Sequence, residues 1–389
     1  MSDDMLSRLN TIDMAILTDV VRNDQGSQTF EILDWTVEPM SHAIMNINTG
    51  GLYRFSGLGR DENGETEWVV ALKISNSSDE DARGVEYWKR EALAYQMRLL
   101  ENLPGSIAVP RCYGVIEHPN QTWIWMEHIV EATPKKWDLV RYALAARNLC
   151  SFNAGYLNGE PLPDFPWLCH KYFDSQTGDN RFWHKLMNPT QPNNAWEASA
   201  VRKNFPTKLK ERILQQWNEK DRFLASLERL PQVFCHNDFH RRNLMIRSTP
   251  DNSLEVIALD WNFSGNGPIG GDLGWLIGGS LFYFELEPAD AGALLNYCLE
   301  AYQASLIEAG LASYLELVRI GCLISIAIWP GMVLPAFSLG FTEMDYYPET
   351  AQAQFGKSGD ELVAGWAAVN EFCMACADQA RQTLEKLDW

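Results

Sequence analysis

The sequence has few basic residues for its size. Its 32 Lys and Arg are outnumbered by 51 Asp and Glu, which gives a formal net charge of -19 at pH 7. An acidic surface repels both a nucleic-acid backbone and an anionic membrane, so we expect neither as the main partner. The same surface suits a cationic ligand, although acidic surfaces also exist simply for solubility.

Sequence signals for export, membrane insertion and disulfide bonding are also missing. The first four residues lack the basic and apolar regions of a signal peptide, which predicts a cytoplasmic protein. Residues 320–337 are uncharged and mostly apolar, but Pro330 and Pro335 interrupt them, so a buried helix followed by a loop is favoured over a membrane span. Of eight scattered cysteines only Cys373 and Cys376 lie close together, and without a second pair they indicate buried thiols rather than zinc.

The length of 389 residues is sufficient for two cores, which predicts two lobes or domains. Strand patterns dominate the first third of the sequence, and helical patterns dominate after residue 127. We therefore predict an N-terminal lobe at 1–127, with a five-stranded antiparallel sheet and a helix, and a mainly helical C-terminal lobe at 128–389. The strand patterns fall at 30–44, 52–57, 68–74, 115–117 and 123–126, and the helical pattern at 84–101.

The strand pattern at 68–74 directs a lysine toward one face of the predicted sheet. Alternation places Val69, Ala71 and Lys73 together on that face. In the helical pattern that follows, Glu91 lies at the edge of the apolar stripe and can face the sheet. A lysine held extended by a glutamate is available to polarise nucleotide phosphates, whereas a lysine at a strand end more commonly reaches solvent.

A turn of the N-terminal lobe and the connector between the lobes are also candidates for nucleotide contacts. A glycine-containing turn can lay backbone N–H groups over phosphates, but it lacks a full G-x-G-x-x-G and is equally typical of an ordinary hairpin. The candidate residues of this turn are Thr49, Gly50 and Gly51. The connector between the lobes offers backbone groups to an adenine edge. Its candidate residues are Glu127, His128 and Ile129.

A loop and a hairpin in the second half of the chain bring oxygen ligands together. Turn formers at 248–253 separate two short strand patterns, so antiparallel pairing places Asn243 and Asp260 at the same open end. One carboxylate and one amide oxygen, completed by waters and phosphates, form a typical magnesium site. Asp238 lies five residues before Asn243, where it can accept the proton of an attacking hydroxyl. On their own, these residues fit a locally hydrogen-bonded loop equally well.

The order and spacing of these motifs resemble those of the aminoglycoside phosphotransferase and choline kinase group, small-molecule kinases of the protein-kinase-like fold. Residues 70–73, V-A-L-K, are similar to the kinase V-A-I-K strand, and 236–243 to the catalytic loop H-x-D-x-x-x-x-N. Asp260 stands where the metal-binding aspartate belongs. The resemblance implies a bilobal α+β fold, with a small β-sheet lobe carrying one key helix and a larger, mainly α-helical lobe.

The resemblance also implies roles for individual residues. Asp238 takes the place of the base, and we expect His236 to orient the loop through hydrogen bonds. His240 matches a histidine that this group commonly carries two positions after the base. Asp272, within a G-D-L segment, is implied to brace the catalytic loop. The implied phosphoryl donor is ATP or GTP, and the implied cofactor is Mg²⁺.

The chain departs from protein kinases after Asp260 and in the long stretch between Glu127 and His236. Trp and Asn follow Asp260 instead of Phe and Gly, which resembles the small-molecule kinases more. In that group the long inserted region forms part of the acceptor pocket. Some aromatic and acidic residues suit a cationic or sugar-like acceptor, unless they simply pack in the core or face water. These residues are Trp167, Phe173, Phe182, Trp183, Trp329, Glu343, Asp345, Tyr346 and Tyr347.

Together these observations predict a phosphotransferase, dependent on Mg²⁺, that uses ATP or GTP to phosphorylate a hydroxyl group of a small molecule such as an aminoglycoside or an amino alcohol. A catalytically silent, nucleotide-binding or regulatory protein is one alternative, and a nucleotidyl-transferring member of the fold is another. A protein kinase is disfavoured because the insert is long and no A-P-E segment follows Asp260. The oligomeric state is left open.

Overall fold

The structure is a computed structural model of the chain. The residues that it describes are 2–40, 49–78, 81–82, 84–132, 136–177, 194–342 and 352–387. The strands are β1 (Glu31–Ile32), β2 (Thr36–Pro39), β3 (Thr49–Asp61), β4 (Gly64–Asn76), β5 (Ile107–Ala108), β6 (Cys112–His118), β7 (Gln121–Glu127), β8 (Gln232–Cys235), β9 (Leu244–Ser248), β10 (Leu254–Ala258) and β11 (Gly265–Pro268). The helices are α1 (Ser2–Leu9), α2 (Met14–Gln25), α3 (Arg90–Gln96), Leu139–Leu157, Tyr172–Thr177, Ser199–Asn204, Thr207–Asn218, Lys220–Arg229, Gly271–Phe282, Ala291–Glu308, Leu315–Thr342 and Gly359–Leu387.

The small lobe is built on an antiparallel sheet of six strands, in the order β1-β3-β4-β7-β6, with β2 also paired to β3. The prediction of five strands was wrong because the strand expected at 30–44 is divided into β1 and β2. Leu33 and Asp34 both donate to Leu58 O, at 2.9 and 3.2 Å. Two donors on one carbonyl interrupt the regular ladder and end β1.

β4 separates the two faces of this sheet as strand alternation predicted. Ala71 and Lys73 lie on the face toward α3. The apolar residues that alternate with them along β4 lie on the other face, under α1 and α2. The residues buried together on this outer face include Leu9, Leu17, Val20, Val21, Trp68, Val70, Leu72 and Ile74. The N-terminal helices therefore cover the outer face of the sheet.

α3 is shorter than the helical pattern at 84–101 suggested. It begins at Arg90 and ends at Gln96, after which Arg98 takes a left-handed conformation with a φ of 57°. A residue other than glycine in this region does not continue an α-helix. The short helix nevertheless buries Glu91 and Tyr95 on the side that meets the sheet and the large lobe.

The large lobe carries the predicted hairpin. β9 and β10 pair antiparallel, with Leu244 opposite Ala258, and β5 joins β10 in parallel. Beyond the last pair, Leu259 N donates to Asn243 O at 2.8 Å. This contact brings Asn243 beside the residue that precedes Asp260, so both predicted metal ligands lie at the open end of the hairpin.

A long apolar helix, Leu315–Thr342, forms much of the large-lobe core. The segment Ala312–Pro335 is long and apolar enough to cross a membrane, but 83% of its apolar window is buried inside the protein. The expected buried helix is present, whereas the loop expected to follow it is not, because the helix continues through both prolines. Pro335 leaves Gly331 O without its helical donor, and Asn370 Nδ2 replaces that donor at 2.7 Å. The α+β bilobal architecture is thus confirmed.

Candidate active site

Lys73 lies at the centre of a charge cluster between the lobes. Its Nζ is 2.5 Å from Glu91 Oε2 and 2.8 Å from Asp260 Oδ1. β4 supplies the lysine, α3 the glutamate and the segment after β10 the aspartate. Burial disfavours the ammonium, but the two carboxylates outweigh burial and raise the pKa of Lys73. The lysine is therefore charged and held extended.

Asp260 offers an oxygen that suits a cation. Its Oδ1 is buried, and its contact among the residues that the structure describes is with Lys73 Nζ, at 2.8 Å. Burial alone would raise the pKa of Asp260, but the neighbouring Lys73 lowers it, so the carboxylate is ionised at neutral pH. The φ of Asp260 is 61°, in the left-handed region, which turns the chain sharply at this residue.

Asn243 and Asp260 fit the chemistry of a magnesium site. The Nδ2 of Asn243 is used in a hydrogen bond to Asp238, so its amide oxygen is the atom left to meet a cation. A carboxylate oxygen and an amide oxygen are hard donors of the kind that Mg²⁺ takes. Within the described ranges, no group of three or more His, Cys, Asp and Glu is placed to hold a metal ion. Phosphate and water oxygens would have to complete the coordination.

Asp272 ties the start of the catalytic loop to the helix Gly271–Phe282. Its two carboxylate oxygens accept from His236 N and Asn237 N, both at 2.8 Å. Burial raises the pKa of Asp272 to about 7, against the stabilising effect of these two N–H groups on the carboxylate. Asn237 itself has a φ of 60°, and the paired bonds hold the loop in this left-handed turn.

His236 connects the catalytic loop to the end of the hairpin. Its Nδ1 accepts from Asp238 N at 3.2 Å, so its Nε2 carries the proton and donates to Leu259 O at 2.8 Å. The side chain is fully buried, and burial lowers the pKa of His236 to about 4 even though Asp238 lies nearby. Both ring nitrogens of a neutral histidine are thus occupied, which leaves none to act as a base.

Asp238 is held by Asn243 and lies against His240. Asn243 Nδ2 donates to its Oδ2 at 2.7 Å, and His240 Nε2 lies 3.1 Å from its Oδ1. The Nδ1 of His240 accepts from Arg242 N at 3.2 Å, so the proton of a neutral His240 is on the nitrogen that faces Asp238. The Asp238 side chain is 16% exposed, compared with 4% for His240. A fixed and accessible carboxylate of this kind can accept a proton.

Glu127, in the predicted connector between the lobes, is held by two donors. Its carboxylate accepts from Arg247 Nη1 and, at 3.2 Å, from Arg111 N, which ties β7 to both β9 and the start of β6. The Nδ1 of His128 is buried and has no hydrogen-bond partner in the part of the chain that the structure describes. Burial lowers the pKa of His128, and the positive charge of Arg54 lowers it further. Ile129 is partly buried.

The glycines of the predicted turn lie at the beginning of β3. A register shift separates Thr49 from Gly51, which has a φ of 132°. A Cβ added to Gly50 would be 2.5 Å from Ile74 Cγ2, and one added to Gly51 would be 2.5 Å from the Tyr53 ring. Local packing at a bulge is therefore sufficient to require both glycines.

The aromatic residues proposed for an acceptor pocket do not share one environment. Trp167 and Phe173 are 7% and 5% exposed and belong to the main core, so they offer little surface to a ligand. Trp329 is only partly buried and lies against Trp275, with ring centroids 3.7 Å apart. The other proposed residues, Phe182, Trp183, Glu343, Asp345, Tyr346 and Tyr347, lie outside the described residues.

Arg90 is a residue of this region that sequence reasoning missed. It is fully buried, immediately before Glu91, and its guanidinium donates to Asn262 O at 2.6 Å. An arginine in a helix usually faces solvent. The sequence feature that could have identified Arg90 is its position directly before Glu91.

The Lys73–Glu91 pair on the small lobe and the loop with Asp260 on the large lobe form the arrangement of a kinase-like phosphotransferase. Residues 71–308, more than half of the chain, match the family described as "Phosphotransferase enzyme family". The chain belongs to this family, and the resemblance inferred from the sequence is confirmed.

Solved structures of small-molecule kinases are similar to this chain at low sequence identity. An amicoumacin kinase in complex with AMP-PNP and Ca²⁺ is 13% identical, with 96% of each chain covered and a TM-score of 0.45. An aminoglycoside phosphotransferase from Alicyclobacillus acidocaldarius is 15% identical, with 90% of this chain and 93% of that chain covered and a TM-score of 0.46. A Plasmodium vivax ethanolamine kinase is 12% identical, with 88% and 83% covered and a TM-score of 0.43. No curated protein matches the sequence.

Proposed function

We propose that the protein transfers the γ-phosphoryl group of ATP or GTP to a hydroxyl group of a small molecule. The observation that carries this proposal is the geometry of Asp238, an accessible carboxylate fixed by Asn243 and His240. The same loop presents Asn243 beside Asp260, and Asp260 contacts the Lys73–Glu91 pair. A base, two oxygen ligands and a phosphate-binding lysine are the parts that phosphoryl transfer needs.

Lys73 binds the nucleotide phosphates in this proposal. Glu91 keeps the ammonium charged and directed away from its strand, so the lysine does not have to be ordered when the nucleotide arrives. Asn243 and Asp260 would hold Mg²⁺ through their side-chain oxygens. Neutralisation of the negative charge on the phosphate oxygens is the chemistry that Mg²⁺ supplies when bound. The bulge at Thr49, Gly50 and Gly51 and the connector Glu127, His128 and Ile129 would complete the nucleotide site.

Asp238 orients the acceptor and receives its proton. The acceptor oxygen forms a bond to the γ-phosphorus while the bond from that phosphorus to the β,γ-bridging oxygen breaks, and ADP or GDP leaves. The hydroxyl proton passes to the Asp238 carboxylate. Asn243 donates to this carboxylate and His240 Nε2 lies beside its other oxygen, so its oxygens stay aligned before the acceptor binds.

The acceptor is proposed to be an aminoglycoside-like molecule or an amino alcohol. The net charge of -19 favours the approach of a cation over that of an anion. A panel of aminoglycosides, macrolides, choline, amino alcohols and sugars, incubated with ATP or GTP and Mg²⁺, would identify the acceptor by product mass. A gain of one phosphate supports kinase activity, a gain of a nucleoside monophosphate indicates nucleotidyl transfer, and turnover of neutral acceptors alone contradicts a cationic acceptor.

Replacing Asp238 by asparagine tests the assignment of the base. Asp238→Asn keeps the side-chain size but removes the basic carboxylate, so we expect turnover to fall by roughly a hundred- to ten-thousandfold. Nucleotide binding, measured by thermal stabilisation with Mg²⁺ and nucleotide, should largely survive. The matched control is Asp251→Asn in the exposed turn of the hairpin, which should keep its activity. Undiminished phosphorylation by the Asp238→Asn protein would refute the assignment.

A further inference from the structure

Arg90 connects three separate segments of the chain from a fully buried position. Its Nε donates to Trp167 O at 2.8 Å, in the helical insert, and its Nη1 donates to Asn262 O at 2.6 Å. The same guanidinium donates to Val85 O at 3.0 Å and to Gly84 O, in the segment that leads into α3. The planar guanidinium has five N–H donors in fixed directions, which allows it to bind carbonyls from several segments at once.

The contact with Asn262 lies directly beside a second contact between the same two elements. Glu91, the next residue of α3, accepts from Trp261 N at 3.3 Å through Oε1, while its Oε2 binds Lys73. Consecutive residues of α3 thus hold consecutive residues of the turn Trp261–Phe263, which begins immediately after Asp260. The position of the Asp260 carboxylate relative to the Lys73–Glu91 pair is therefore linked to Arg90.

We propose that Arg90 is a positioning residue that holds the Asp260 turn against α3, so that the metal ligand and the phosphate-binding lysine keep one relative position. This inference rests on the proposed function, since it concerns the site for nucleotide and metal. Arg90 acts through its contact with Asn262, beside the contact of Glu91 with Trp261, and does not itself touch the ligand. Loss of the Arg90 side chain removes the contact that holds Asn262 to α3. Asp260, at the start of this turn, then has to be ordered when metal and nucleotide bind.

The test compares Arg90→Met with a partly buried arginine outside the site. Arg381 is 12% exposed and hydrogen bonds to Glu219, Gln216 and Asp378 in the large lobe, so Arg381→Met removes a comparable network. Binding of AMP-PNP is measured by calorimetry over a series of Mg²⁺ concentrations, and binding of Mn²⁺ in the presence of AMP-PNP by electron paramagnetic resonance. Thermal denaturation of each variant reports the loss of stability separately.

We expect Arg90→Met to raise the Mg²⁺ concentration needed for half-maximal nucleotide binding by roughly ten- to a hundredfold, as is typical of residues that support metal ligands. Arg381→Met should lower the melting temperature and leave the metal requirement unchanged. Arg90→Lys keeps the charge but has only one donor group, so its metal requirement should lie between those of the parent and Arg90→Met. If Arg90→Met does not fold, Arg90→Lys supplies the comparison.

Two results would overturn the inference, and they are distinguishable. If the parent protein binds AMP-PNP with Mg²⁺ and the Arg90 variants show the parent's metal requirement, Arg90 has only a structural role and the proposed function stands. If the parent itself shows no metal-dependent nucleotide binding, the proposed function fails and the role of Arg90 fails with it.

Discussion

Replacing Gly279 by alanine tests whether the helix Gly271–Phe282 positions the catalytic loop. A Cβ added to Gly279 would be 2.8 Å from His240 Cβ and 3.2 Å from His240 Cγ. Carbon atoms in ordinary contact are about 3.5–4.0 Å apart, so His240 has to move by roughly 1 Å. His240 Nε2 is 3.1 Å from Asp238 Oδ1, and a shift of that size breaks this polar contact with the carboxylate.

The alanine has opposing effects on stability and a larger effect on activity. Alanine is favoured over glycine in a helix interior by about 1 kcal/mol, whereas an extra methyl group in a packed site costs about 1–3 kcal/mol. We therefore expect a melting temperature that is unchanged or modestly lower. Misplacement of the base by about 1 Å should lower kcat by up to roughly a hundredfold. Nucleotide affinity should change little, because Lys73 and Asp260 do not contact Gly279.

Gly292 provides the control for this substitution. It is also in a helix, Ala291–Glu308, but a Cβ added there meets no atom within 4 Å. Gly292→Ala should keep the parent's kcat and equal or exceed its stability. The assay is steady-state phosphoryl transfer together with thermal denaturation of both variants. If Gly279→Ala retained the parent's kcat, the packing of Gly279 against His240 would not set the position of the base, and the proposed role of the helix Gly271–Phe282 would be refuted.

Two further predictions concern the charge cluster and the buried histidine. Glu91→Gln removes one of the two carboxylates at Lys73, so the KM for nucleotide should rise by about tenfold with little change in the KM for the acceptor. Equal rises in the two KM values would contradict this prediction. The pKa of His236 is about 4 when folded and 6.5 when exposed, so lowering the pH from 6.5 to 4 protonates the unfolded state first. This histidine should then lower the free energy of unfolding by up to roughly 3 kcal/mol. Chemical denaturation of His236→Asn at several pH values checks this, and an unchanged pH slope would count against it.

The parts of the site that the sequence predicts correctly depend on local regularities. Strand alternation has a period of two residues, which places Lys73 opposite the apolar face of β4 without any knowledge of the rest of the fold. Hairpin pairing brings Asn243 and Asp260 together for a similar reason, since the turn between β9 and β10 is short. The family resemblance then supplies what these regularities cannot, namely that Lys73 of one lobe lies near Asn243 and Asp260 of the other.

The parts that were missed depend on contacts between distant residues. Arg90 and Asn262 are 172 positions apart, and no sequence period relates them. Pro335 is a helix-breaking signal, but a donor from Asn370 replaces the hydrogen bond that the proline removes. Trp167 suits a ligand pocket and a core equally well by composition, and only its burial shows that it packs in the core.

The cover that α1 and α2 provide has a practical consequence for the design of fragments. A fragment cut at the family boundaries, 71–308, would begin inside β4 and lack both helices. Leu72 and Ile74, both fully buried in the whole chain, would then face water, at a cost of about 1.5–3 kcal/mol for each side chain. Such a fragment would expose an apolar sheet face to other copies of itself and would aggregate. The unit to express and crystallise is therefore wider than the family match.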